Sequence, residues 1–434
     1  MSSGALGRLR TALGERSDQD AVSQCSRCGY CEQVCPTYAA TSRESFSPRG
    51  RNQIVRSLLE GKLADTASAQ EALDTCLLCG AGQTACPAHV PTADLVLEGR
   101  RLLAGSQPGR SARIADFLLV KRPELLRALL KAAFAMKRWG LFSLASKLGL
   151  FKLLGWRGLE EAGKFFNPPQ AFLRERLRKD AEPAGSGGTA WSYFAACGTD
   201  FLFPAVGLAT LKVLRGVLGR GAFLDAGCCG LASYNYGSLE SARALARALI
   251  ERWEAAGSRS PLVGDCSSCV SFLKSYPQLF LADPAWLLRA ERFSAAVRDI
   301  VECVPPAKLA SGVLDGTIAM QESCRARHGQ EIGGRSRKTL DAATRRTCAS
   351  AGDACCGGAG LFAVRNPELS EELLLSKTAA LAAAQADTVA VSSTSCLLQL
   401  ERGLKKYYPE AKVVHWSELV AVALETVRPK GQGG

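Results

Sequence analysis

The sequence predicts an α/β protein in three parts: a helical, cysteine-rich N-terminal module, a basic helical connector, and two tandem α/β units of like design. Three observations predict it. The cysteines fall into two internal repeats, one short and N-terminal, one long and C-terminal. From Ala190 onward, short apolar runs alternate with helical patterns, the signature of a parallel sheet covered by helices. The composition, 47% hydrophobic and 22% charged over 434 residues, suits packed cores and excludes wholesale disorder.

The N-terminal part comes first. Cys25, Cys28, Cys31, Cys35 and Pro36 recur 51 residues later as Cys76, Cys79, Gly82, Cys86 and Pro87. Three closely spaced thiolates wrap one corner of a cubane only if the chain turns tightly, and Gly29 and Gly80 sit in those turns. A fourth cysteine, followed by proline, reaches across to the other cluster. Residues 1–100 therefore read as a two-cluster 4Fe-4S ferredoxin-like module, mostly helical, with loop then helix between Cys35 and Leu63. One cluster would use Cys25, Cys28, Cys31 and Cys86. The second would use Cys35, Cys76 and Cys79, with Gly82 where the fourth ligand belongs. Glycine cannot ligate, which leaves a 3Fe-4S cluster, a four-iron cluster with an exogenous ligand, or a less stable cluster. His89, three residues after Cys86, is an alternative stand-in, and a cysteine at 82 would restore the spacing of Cys31. Zinc also takes four thiolates, but the C-P ending and the crossed repeat suit iron–sulfur better.

Residues 101–180 form the basic connector. From Arg100 to Asp180 there are 18 Lys/Arg and 6 Asp/Glu, nearly the whole formal excess of +13. A charge so localised argues against a general nucleic-acid-binding protein. The Leu-rich stretch from Phe117 reads as amphipathic helices broken at Pro123, Gly140, Gly149 and Gly155. Its bases, with Trp139, Trp156, Phe142 and Phe151, fit a solvated face, an anionic membrane surface or an acidic partner. Residues 181–189 read as a linker.

The α/β units span 190–310 and 311–428. Cys197, Cys228, Cys229, Gly230, Cys266 and Cys269 recur 127 residues later as Cys324, Cys355, Cys356, Gly357, Ser393 and Cys396. Strands are expected before Cys197, Cys228, Cys266, Cys324 and Cys396, with a helix over 239–257. The motif cysteines then lie where strands end and helices begin, the edge at which open α/β sheets place ligands and where helix N-termini favour thiolates. His415 and Trp416 read as a strand-to-helix join in the core. Cys303 and Cys348 belong to neither repeat and read as structural thiols.

The C…CCG…CxxC pattern resembles the cysteine-rich CCG domain of heterodisulfide reductase, of the anaerobic glycerol-3-phosphate dehydrogenase iron–sulfur subunit and of lactate-utilisation proteins. A two-cluster ferredoxin module followed by two CCG domains is most similar to the glycolate oxidase iron–sulfur subunit family, within the wider heterodisulfide reductase-like superfamily. CSRCGYCEQVCPTY, the SPRGR that follows it, GCCG at 227–230, ACCGGAG at 354–360 and HWSELV at 415–420 carry the resemblance. It implies an electron-transfer subunit of an oxidoreductase complex. A partner flavoprotein would oxidise a 2-hydroxy acid such as glycolate or lactate, and this chain would relay electrons to a quinone or another membrane acceptor. The alternative it implies is a catalytic subunit that reduces a disulfide at a CCG-bound cluster. By the same resemblance, Cys197, Cys228, Cys229, Cys266 and Cys269 would hold a further iron–sulfur cluster. Cys324, Cys355, Cys356 and Cys396, one thiol short at Ser393, would hold a cubane, zinc or nothing.

The division of labour agrees with what the chain lacks. There is no G-x-G-x-x-G after a strand, no G-x-x-x-x-G-K-[ST], and histidine is confined to His89, His328 and His415. No base or hydride acceptor for hydroxy-acid oxidation is evident. The first residues carry no apolar signal region and no run is apolar enough to span a bilayer, so the expectation is a cytoplasmic protein, at most peripheral on the inner face of the cell membrane.

Overall fold

The computed structural model describes residues 9–11, 14–104, 117–153, 160, 163–179, 190–258, 261–346, 348–350, 352, 354–360 and 362–425. A small antiparallel hairpin, β1 (Leu9–Thr11) and β2 (Gly14–Arg16), opens them, an element without a clear signal in the sequence. Short helices follow. Ser17 caps Asp18–Ser23 by accepting from the Asp20 amide. The stretch expected as loop after Cys35 instead forms the helix Pro36–Thr41, because Pro36 at its first position pre-sets the helical φ. The helix Pro48–Leu59 comes next, capped by Ser47, then Thr66–Asp74, Ala81–Thr84 and Thr92–Ala104.

Two four-stranded parallel sheets make up the rest. The first holds β3 (Ser192–Phe194), β4 (Ala222–Phe223), β5 (Leu262–Gly264) and β6 (Val297–Asp299) in the order β4-β3-β5-β6. The second holds β7 (Ile318–Gln321), β8 (Ala349–Ser350), β9 (Thr388–Val391) and β10 (Lys412–His415) in the order β8-β7-β9-β10. The two orders are the same, so the cysteine repeat is also a repeat of topology. The five strands expected before cysteines are present, as is the helix Leu239–Ala255. Strands β6 and β8 escaped the pattern because VRD and AS carry almost no apolar periodicity. The central strands β3, β5, β7 and β9 are buried along their whole length, which is why they read as continuous apolar runs.

In both sheets the chain leaves the first strand to one side and returns on the other. The switch falls between β3 and β5, and between β7 and β9, where a crevice opens beyond the strand ends. The apolar cores cross these sequence units. Val55, Leu73 and Leu95 share one cluster with Phe194, Leu249 and Phe272. Trp191 and Leu214 share another with Ile318, Trp416 and Val420. The N-terminal module is tied down further by Arg100, which donates to the carbonyls of Leu73, Cys76 and Asn235, and by Asp94, which accepts from Tyr234 Oη at 2.9 Å.

The connector forms the helices Pro123–Arg138, Leu141–Lys147, Leu150–Leu153 and Leu173–Lys179, interrupted where Pro123, Gly140 and Gly149 predict. Gly155, Trp156 and the 181–189 linker lie outside the described residues. Arg174 anchors the last of these helices, with Nε 2.9 Å from buried Asp200 and Nη1 2.8 Å from Asp225.

Candidate iron–sulfur centres

Cys25, Cys28, Cys31 and Cys86 line one partly open cavity. Cys35, Cys76 and Cys79 line a second. Gly29 and Gly80, at φ +89° and +84°, make the tight turns inside the cysteine loops. In the first site Cys28 is exposed, and the Tyr30 amide beside it holds its thiol below the ordinary range. Burial pushes Cys31 up to about 11. His89, at φ +48°, lines neither cavity.

The SPRGR string acquires a role here. Arg49 and Arg51 lie two apart on the first turn of their helix, so they diverge. Arg49 lines the first cavity and Arg51 the second. Arg51 is buried, donates from Nε to Ala72 O at 2.8 Å and from Nη1 to Thr37 Oγ1 at 3.0 Å, and brings Nη1 to 3.9 Å from Cys35 Sγ. Arg51 thus offers its charge to the second thiol set, whereas Arg49, beside the first, is already paired with Glu32 at 2.7 Å and Glu44 at 2.8 Å. The sequence offered the string only as part of a resemblance; two arginines at i and i+2 opening a helix were the signal for the role.

Gly82 lines both cavities. A Cβ there would stand 2.7 Å from Pro48 Cγ and 3.7 Å from Cys31 Cβ. The space that a cysteine at 82 would need is therefore held by the proline ring that starts the helix Pro48–Leu59, so restoring the spacing of Cys31 is not simply adding a thiol.

The remaining motif cysteines gather at the two switch points. Cys197 begins the helix Cys197–Phe201 after β3, Cys228 and Cys229 follow β4, and Cys266 caps the helix Ser267–Lys274 that carries Cys269. Gly230, at φ +87°, turns its amide onto Cys228 Sγ at 3.4 Å; Gly357, at φ +73°, does the same for Cys355 at 3.4 Å. In the first unit the five thiols form one connected series, Cys197 to Cys228, Cys228 to Cys229, Cys229 to Cys269 and Cys269 to Cys266. Hydrogen bonds from Cys228 and Cys269 draw Cys229 down to about 6, and one from Cys269 holds Cys266 well below its ordinary range. Cys197, in turn, is pushed up by its bond to Cys228 and by burial. Five clustered thiols, three of them buried, cannot all ionise together without a cationic partner, and iron is such a partner; the donor set fits an iron–sulfur group. In the second unit Cys356 Sγ lies 3.4 Å from Cys396 Sγ, and burial and the nearby Cys355 raise Cys324 to about 12. Among the described residues, no group of three or more His, Cys, Asp or Glu is arranged to hold a single metal ion.

These sets adjoin one another. Leu77, Phe362 and Leu373 form a buried apolar cluster against which Cys79 of the N-terminal module and Cys355 of the second unit both pack. The helix Cys324–Gly329 meets Ala81–Thr84, and His328 Nδ1 is 3.1 Å from Thr84 Oγ1. Between the α/β units, the Ser267 amide donates to Ser392 O at 2.8 Å, and Ser268 Oγ lies 2.9 Å from Ser393 Oγ. Ser393 Oγ and Thr394 Oγ1 reach Cys266 Sγ at 3.4 and 3.6 Å. This hydroxyl cluster escaped sequence reasoning, which saw in Ser393 only a missing thiol. Cys303 and Cys348 lie apart from every set: Cys303 Sγ donates to Asp299 O at 3.6 Å, and buried Cys348 is held beside Asp341.

Comparison with known families agrees with this layout. A 4Fe-4S dicluster domain matches residues 21–90, and the cysteine-rich CCG domain matches 191–274 and 318–401. The chain thus carries a 4Fe-4S dicluster domain followed by two CCG domains. Two relatives align with almost all of it. The probable glycolate oxidase iron-sulfur subunit of Bacillus subtilis (strain 168) is 25% identical over 96% of this chain and 97% of its own length. The glycolate oxidase iron-sulfur subunit of Escherichia coli (strain K12) is 27% identical over 96% and 100%. Lactate utilization protein A of an Exiguobacterium species is 29% identical over 52% of this chain and 95% of its own. Both CCG domains thus fall on the parallel sheets, and the dicluster domain on the module that holds the two cavities. No helix among the described residues is long and apolar enough to cross a membrane.

Proposed function

We propose that this chain is the iron–sulfur electron-transfer subunit of a flavin-dependent 2-hydroxy-acid dehydrogenase, of the glycolate or lactate type, working between a partner flavoprotein and a quinone at the inner face of the cell membrane. The observation that carries the reading is the unbroken adjacency of the thiol sets: Cys79 and Cys355 pack on one apolar cluster, and Ser393 of the second CCG domain touches Cys266 of the first. Iron–sulfur clusters, when bound, supply one-electron exchange. The chain's own residues hold, order and insulate them. Cys25, Cys28, Cys31 and Cys86 would hold a 4Fe-4S cluster near the surface, where Tyr30 is 60% exposed and open to a partner. Cys35, Cys76 and Cys79 would hold the second ferredoxin-type cluster, short of one thiolate at Gly82. Cys197, Cys228, Cys229, Cys266 and Cys269 would hold a cluster in the first CCG domain, and Cys324, Cys355, Cys356 and Cys396 a metal group in the second. Leu77, Phe362 and Leu373 keep water from the passage between Cys79 and Cys355.

The test uses the anaerobically purified chain with and without its flavoprotein partner. The chain alone should contain iron and acid-labile sulfide in near-equal amounts, contain no flavin, and leave glycolate and lactate untouched. Together the two should reduce a quinone analogue with one of these acids. Stoichiometric flavin in the chain, or zinc alone, overturns the reading. Turnover of a disulfide by the chain with a reduced dye assigns it instead to disulfide reduction.

A further inference from the structure

Among the described residues, seventeen large hydrophobic side chains are conspicuously exposed, and ten of them crowd between Phe117 and Leu153. No side chain described in that segment is buried. On the helix Pro123–Arg138, Leu125, Leu129, Ala132 and Met136 recur at i, i+4, i+7 and i+11, so they share one exposed face. Leu141, Leu144 and Leu148 repeat the pattern on the next helix, and Trp139, between the two, is 77% exposed. The opposite face is already used. Phe134 packs on Phe166 and Phe172, Arg127 reaches Asp200 at 3.5 Å, Lys131 pairs with Glu175, and Lys137 donates to the carbonyls of Gly163 and Phe166.

The charge around the apolar face has one sign. Residues 117–153 contain eight Lys/Arg and one acidic residue, Glu124. Lys121, Arg122, Arg138 and Lys147 are exposed. A second copy of the chain would set this positive field against itself. Three helices of 16, 7 and 4 residues, broken at Gly140 and Gly149, present a bent face with no groove to match a protein partner, whereas a fluid surface demands no fixed shape. Leucines and an exposed tryptophan, ringed by bases, are the pattern of an interfacial helix on anionic lipid.

We infer that the exposed face of residues 117–153 docks this protein on an anionic lipid surface, with the leucines and Trp139 entering the headgroup region and Lys121, Arg122 and Lys147 meeting lipid phosphates. This deepens the membrane part of the proposed function by naming the surface and the lipid chemistry, and it is tested without turnover.

The full chain, purified anaerobically, is co-sedimented with vesicles of phosphatidylcholine alone and of phosphatidylcholine with phosphatidylglycerol. Binding should be strong on the anionic vesicles, weak on the neutral ones, and reduced by salt. Leu129→Glu combined with Leu144→Glu should weaken it by about tenfold or more, and Lys121→Gln with Lys147→Gln should flatten its salt dependence. Iron content and thermal unfolding, unchanged in these variants, would show that the fold is intact. Failure to bind anionic vesicles overturns the inference, as does binding that the leucine variants leave unaltered. Loss of flavoprotein capture by those variants, with no vesicle binding in the parent, assigns the face to a protein and also overturns it. The function fails separately: a chain that binds vesicles but exchanges no electrons with a flavoprotein keeps this surface and loses that role.

Discussion

Cys266 Sγ and Ser393 Oγ stand 3.4 Å apart, although they occupy equivalent positions of a repeat with a 127-residue offset. The contacts around them are reciprocal, as a pseudo-two-fold axis between the two units requires: Ser267–Lys274 meets Cys324–Gly329, while Thr394–Tyr407 meets Cys197–Phe201. A thiolate can only accept, so Ser393 must donate to Cys266 once that sulfur binds metal. Replacing the cysteine of the second CCG domain by serine therefore removes a ligand there and adds a hydrogen-bond donor to the first.

Ser393→Ala should lower the midpoint potential of the group held by the first CCG domain, by on the order of 40 mV, the one-electron equivalent of about 1 kcal/mol for a lost hydrogen bond. Redox titration followed by electron paramagnetic resonance checks it. The ferredoxin-type signals should not move.

Gly82→Cys should cost about 1–3 kcal/mol of stability by overpacking against Pro48. Because Gly82 lines both cavities, it should disturb the spectrum of the first ferredoxin-type site as well as the second. Iron counting, chemical denaturation and paramagnetic resonance on both forms decide. A stable variant with only the second signal altered would show that the proline yields freely.

Cys303→Ser and Cys348→Ser should leave iron and sulfide content at the parental level, since neither thiol approaches a candidate set. Cys79→Ser, in contrast, should lower the iron count.

Arg174→Ala would leave Asp200, whose side chain is 1% exposed, with Arg127 at 3.5 Å as its remaining cation and the backbone amide of residue 174 still donating at 3.0 Å. Burial already raises the Asp200 carboxyl, so losing its principal cation should destabilise the protein by about 3–5 kcal/mol. Thermal unfolding of the variant measures this, and Arg174→Lys should recover part of it.

His415 is fully buried, and desolvation lowers it from 6.5 to about 4. The unfolded chain therefore binds a proton at this residue that the folded one refuses, and the contribution of His415 to stability should fall as pH drops from about 6.5 to about 4, by on the order of 3 kcal/mol. Asp299, raised by burial to about 6, acts with the opposite sign in the same window. The difference between the parent and His415→Asn in denaturant titrations at several pH values isolates the histidine.

The thiol inventory, its pairing into repeats, the parallel α/β class and the breaks of the connector were all legible in the amino-acid string. These are local matters: ligand spacing, apolar runs before each cysteine, and proline or glycine where a helix stops. The join at His415 and Trp416 was legible for the same reason, an apolar strand running into a helical pattern. Strands as short as Ala349–Ser350 were not, because two residues carry no periodicity and are held by neighbours distant in the chain. Three relationships exist only in the packed fold: Arg49 and Arg51 line different cavities, Pro48 occupies the space beside Gly82, and Ser393 faces Cys266. Each depends on which surfaces the apolar cores press together, and those cores draw on residues hundreds of positions apart, beyond the reach of any local pattern.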